Sequence, residues 1–65
     1  MIDRLDKNGD LIKVGDLLYN SANGKSYRVV FSKDILAYGI IDESGMFDFM
    51  SDWLEYEWEI KSASD

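Results

Sequence analysis

The chain has 65 residues with thirteen acidic and seven basic side chains, a net charge of −6, and neither Cys nor His. One domain this small buries only about 60% of the surface its unfolded chain exposes, and without Cys it has neither a disulfide nor a thiolate metal site, so two Trp, four Tyr and three Phe must supply the core. The negative balance opposes attraction to phosphate backbones and anionic membranes, and the missing imidazole and thiol remove the commonest general base and strongest nucleophile. These features argue against direct nucleic-acid binding and against an enzyme.

Residues 1–6 lack a cationic start followed by an apolar run, and no later stretch is long enough to span a bilayer, so the expected location is cytoplasmic. In Asp6-Lys7-Asn8-Gly9-Asp10, the Asn-Gly pair marks a turn. Asp6, Asn8 and Asp10 copy positions 1, 3 and 5 of an EF-hand calcium loop. The copy then fails, because Leu11 stands where the loop needs Gly and Leu17 where it needs a bidentate Glu. No metal or cofactor is expected.

Residues 13–31 read as two strands joined at Asn23-Gly24, the strongest short-range hairpin signal. A two-residue loop there sets Asn20 opposite Tyr27, Leu18 opposite Val29 and Leu17 opposite Val30. Asp6-Lys7-Asn8-Gly9 followed by Ile12 and Gly15-Asp16-Leu17, then a strand carrying Tyr27 and Val29, resembles the opening of the YopX-like family of phage and prophage proteins. The resemblance covers the first half of the chain. It implies a small β-barrel and a mobile-element origin, and brings no catalytic residues with it.

Residues 35–42 read as a third strand, in which Gly39 marks a bend or bulge. Residues 46–50 read as a fourth, with Phe47 and Phe49 on one face. Ser51 has the chemistry of an N-cap for a short 3-10 turn over residues 51–54. Residues 54–60 alternate strictly, so a fifth strand sets Leu54, Tyr56, Trp58 and Ile60 toward the core and Glu55, Glu57 and Glu59 outward. The predicted architecture is an all-β domain over residues 1–60, a small five-stranded antiparallel SH3-like barrel or strongly bent sheet, followed by a polar tail at 61–65.

Two surfaces are candidates for binding. The row Glu55, Glu57, Glu59, widened by Asp48, Asp52, Asp42 and Glu43, spaces carboxylates roughly 6.5–7 Å apart, near the phosphate spacing of a nucleic-acid strand. Such a face would mask a basic, nucleic-acid-binding protein as a DNA mimic and inhibitor; the same row would also protect an edge strand from aggregation. Alternatively, Tyr19, Tyr27, Tyr38 and Trp53 form an aromatic groove of an adaptor that binds a peptide or a complex subunit, unless these rings are spent on the core.

Overall fold

The computed structural model describes residues 2–64; Met1 and Asp65, the first residue of the predicted domain and the last of the predicted tail, lie outside the described residues. Five strands, β1 (Leu17–Asn20), β2 (Lys25–Ser32), β3 (Ala37–Ile41), β4 (Phe47–Phe49) and β5 (Trp58–Ser62), form one antiparallel sheet in the order β4-β3-β2-β1-β5. A single 3-10 turn (Glu55–Glu57) precedes β5. The all-β class, the five antiparallel strands and the one 3-10 turn agree with the sequence reading.

The sheet is open, which corrects the barrel. β5 cannot meet β4 because its outer edge is already occupied: the Lys7 amide donates to the Trp58 carbonyl at 2.8 Å, and the Ile60 amide donates to Asp6 Oδ2 at 3.0 Å. A side-chain carboxylate thus stands in for the carbonyl of a missing neighbour strand, satisfying an amide that would otherwise be left unpaired.

The hairpin register differs by two residues from the expected one. Asn20 pairs with Lys25, Leu18 with Tyr27 and Leu17 with Arg28, leaving a four-residue loop at 21–24. Buried Asn20 explains this: its Oδ1 accepts the Ala22 and Asn23 amides at 2.9 and 3.1 Å, and its carbonyl accepts the Gly24 amide at 2.8 Å. Gly24 supplies the positive φ of 72° on which the loop closes. Because the shift is even, every side chain keeps its face.

Leu18, Val29 and Ile40 form the buried centre of one sheet face. Ile2 and Ile12 from the N-terminal segment and Met50 from the β4–β5 connection cover them, and Trp58 closes the side. The opposite face carries the cross-strand row Leu17, Arg28, Ile41 and Phe47, and beside it Val30, Gly39 and Phe49. Gly39 is paired on both sides and forms no bulge; the Phe47 ring lies over it where a Cβ would have to sit.

The third strand is shorter than expected, since Ile35 and Leu36 belong to the turn before β3 and Leu36 has a positive φ of 52°. The last correction is the largest. The 3-10 turn falls on Glu55–Glu57, not on residues 51–54, Ser51 caps nothing, and β5 begins at Trp58 and runs through Lys61 and Ser62 of the expected tail. Trp53 and Trp58 are stacked at 4.3 Å with 9° between their planes. Residues an odd number apart point to opposite faces of a strand, so this stack requires the chain to turn between them. Tyr56, expected inside, is 71% exposed, and Leu54 is exposed with it.

Candidate functional site

The predicted row Glu55, Glu57, Glu59 does not exist as a strand face. Glu55 and Glu57 lie on the 3-10 turn and Glu59 lies on β5, where Lys7 and Lys61 reach it at 3.2 and 3.3 Å. Those two ammonium groups hold the Glu59 carboxyl below its ordinary pKa. Glu59 is therefore engaged as a carboxylate by two cations and is the least available member of the row.

Asp48 sits on β4, at the opposite sheet edge from Glu59. It is exposed, and its Oδ1 accepts the amide of Phe49 at 2.8 Å. Asp42 and Glu43 belong to the β3–β4 turn, and Asp52 to the connection toward the 3-10 turn, at a positive φ of 53°. The Asp42 carboxylate accepts the Ser44 hydroxyl, the Met46 amide and the Ser44 amide, and these bonds, the hydroxyl first, hold its pKa low. The structure therefore strings Asp42, Glu43, Asp48 and Asp52 along the β4 hairpin and continues them through Glu55 and Glu57 on the crossing connection.

A plainer sequence signal underlies this string. Residues 34–60 hold eight of the thirteen acidic side chains and none of the seven basic ones. Among the described residues, Glu59 alone of those eight takes part in an ion pair.

The four aromatics do not converge. Tyr27, Tyr38 and Trp53 pack against the core. Tyr27 meets Trp58 edge-on at 5.3 Å, and the Trp53 indole N–H donates to the Leu5 carbonyl at 2.9 Å. Tyr19 is half-buried on the opposite face, with the Lys61 ammonium 5.7 Å from its ring centre.

Tyr38 borders open space. It separates two shallow recesses, one of about 370 Å³ against Ile2, Phe49 and Met50, the other of about 300 Å³ against Leu11, Ile12 and Val14. The sequence reading passed over Phe49 and Val14 as surface formers because alternation assigns a face and does not tell how well that face is covered.

Asp6 and Asp16 are fully buried yet build no cation site. Asp6 Oδ1 accepts the Asn8 and Asp10 amides and its Oδ2 the Ile60 amide, each at 3.0 Å; Asp16 accepts the amides of Lys13 and Ser64 at 2.9 and 2.6 Å. Among the described residues no three acidic side chains converge as metal ligands. No family model matches the chain, and no curated protein or solved structure matches it.

Proposed function

We propose that the chain is a non-catalytic binding protein that takes a basic partner through the carboxylates of its second half. The observation that carries this reading is the charge of residues 34–60 other than Glu59, where Asp42, Glu43, Asp48, Asp52, Glu55 and Glu57 stand on turns and an edge strand and form no salt bridge among the described residues. Carboxylates fixed on a folded frame offer a partner's Lys and Arg side chains the charge that phosphates offer, at no cost in ordering a flexible ligand. The partner class this favours is a nucleic-acid-binding protein, masked by competition. The resemblance to YopX-like phage proteins supports a mobile-element setting, in which such masking inhibits a host factor. The adaptor reading is left with Tyr38 and its recesses, since the other three rings are engaged elsewhere.

The test is recovery of partners from lysate on the tagged protein, at low and at high salt. The expected partner elutes as salt rises and is displaced by DNA or RNA. It is lost from a variant carrying Asp48→Asn, Asp52→Asn, Glu55→Gln and Glu57→Gln that unfolds at no lower a urea concentration than the parent. A partner that ignores both salt and these substitutions would overturn the proposal.

A further inference from the structure

The two edges of this sheet are not alike. On β5 the outward groups are engaged by Asp6 and Lys7. Among the described residues no strand pairs with the outer side of β4, and just past its end the Arg4 side chain donates to the Met50 carbonyl at 3.3 Å. The bond from the Asp42 amide to the Met46 carbonyl, 3.3 Å, fixes the phase of the β3–β4 ladder. Ile40 and Asp48, two residues further along each strand, are therefore the pair that exchanges hydrogen bonds, and Phe47 and Phe49 direct their N–H and C=O groups away from the sheet. The Phe49 amide is held by the side chain of its own neighbour, Asp48, a partner that can swing away without disturbing the fold.

The surroundings of this edge fit an extended ligand. Met46 and Phe49 are 70% and 54% exposed at its two ends. Beyond Phe49 lies the 370 Å³ recess lined by Ile2, Tyr38 and Met50 and by the Asp3–Arg4 ion pair, large enough for one aliphatic side chain. Asp42 and Glu43 stand at one end of β4, Asp48 at its middle and Asp52 beyond the other end; Lys25 lines a recess with Asp42 and Glu43, Arg4 lines the one beyond Phe49, and neither forms a salt bridge with these four carboxylates among the described residues.

Resting on the reading of a basic partner given above, we infer that β4 is a docking edge onto which an extended basic segment of the partner adds as a sixth strand. Its backbone pairs with Phe47 and Phe49, an apolar side chain enters the recess beside Tyr38, and its Lys or Arg side chains meet Asp48 and the acidic residues at either end. Main-chain bonds supply affinity in such strand addition, and alternate side chains supply specificity. Asp48 changes partner on binding, releasing the Phe49 amide to the ligand backbone and turning its carboxylate to a ligand cation. A second copy of the chain is a poor occupant, because its own β4 would bring Asp48 and the same run of negative charge against this one.

The experiment uses the intact protein and three synthetic probes of equal charge. The first is a blocked peptide of alternating lysine and valine with one central leucine. The second is the same peptide with alternate backbone amides N-methylated, and the third is a helical lysine–alanine peptide. Strand addition predicts that the first binds at least about tenfold more tightly than either of the others, and that it slows hydrogen exchange of the Phe47 and Phe49 amides by a similar factor. Equal binding of all three probes without that slowing overturns the docking edge and leaves the basic-partner reading standing. Binding by none overturns both. Slowed exchange at Phe47 that appears without peptide and grows with protein concentration assigns the edge to a second copy and overturns the inference as well.

Discussion

Asp6 shows how much one side chain carries in a domain this small. Its carboxylate accepts three backbone amides, two within its own turn and one on β5, so it both closes the turn and seals a sheet edge. Burial pushes its pKa up, and the bonds from Ile60, Asp10 and Asn8 outweigh that and set it below the ordinary value of 3.8. A carboxylate with a lowered folded pKa contributes stability that is complete above its unfolded value and is lost as pH falls through the folded one. Asp6→Asn keeps an acceptor for the turn but turns an NH2 toward the Ile60 amide, so it should cost about 1.5–3 kcal/mol near neutral pH. Urea midpoints of parent and variant measured from neutral pH downward should converge below pH 3.8, where the parent protonates and the Asn does not titrate. A constant gap across that range would mean that Asp6 acts through shape and not charge. The turn itself was legible in the sequence at Asn8-Gly9, but the bond from Ile60 was not, and Asp6 reads there as part of an incomplete calcium loop. A carboxylate that folds inward onto amides and one that faces an ion occupy the same kind of Asp-rich turn.

At the scale of the elements, the two turns that begin at Asp6 and Asp42 were read best and the last strand worst. Asp6 to Asp10 and Asp42 to Met46 are the same turn built twice: the Asp Oδ1 accepts the amides two and four residues on, and its carbonyl accepts the amide of the Gly three residues on. That chemistry is local, so five consecutive residues suffice to announce it. The β5 register depends instead on the stack of Trp53 on Trp58 and on the bond from Trp53 to Leu5, contacts that alternation within residues 54–60 does not reveal. The two versions of this segment predict different mutants. Were Tyr56 an inward strand residue, Tyr56→Ser would remove a core ring at a cost of about 3–5 kcal/mol. Placed on the 3-10 turn and exposed, it should cost no more than about 0.5 kcal/mol. Thermal unfolding of that single variant decides between them.

Charge is a property of the whole molecule, and its arrangement joins stability to function. The sequence told the sign and size of the net charge, and it held the segregation of acidic residues into 34–60 in plain view. What it could not show was which carboxylates the fold would spend. Asp6 and Asp16 go inside, Glu59 goes to Lys7 and Lys61, and among the described residues the rest of the acidic half forms no ion pair, Asp34 on the β2–β3 turn and the others along the β3–β4 hairpin and the connection that crosses to β5. Like charges held together on a compact frame repel one another, and the unfolded chain relieves that repulsion by spreading them apart. Added salt screens it, while the ion pairs that salt weakens among the described residues are exposed or half-exposed ones of small worth. The melting temperature should therefore rise between low salt and about 0.5 M NaCl, where the screening length falls to a few ångströms. A gain of about 0.5–1 kcal/mol corresponds to a rise of several degrees in a domain of this size. Glu55→Gln with Glu57→Gln should raise the low-salt melting temperature and shrink the salt response together, since both come from the same repulsion. A melting temperature that falls with salt would place the dominant electrostatics in the Lys7–Glu59–Lys61 cluster. The carboxylates of the acidic half would then not be under the mutual strain that a basic partner relieves on binding.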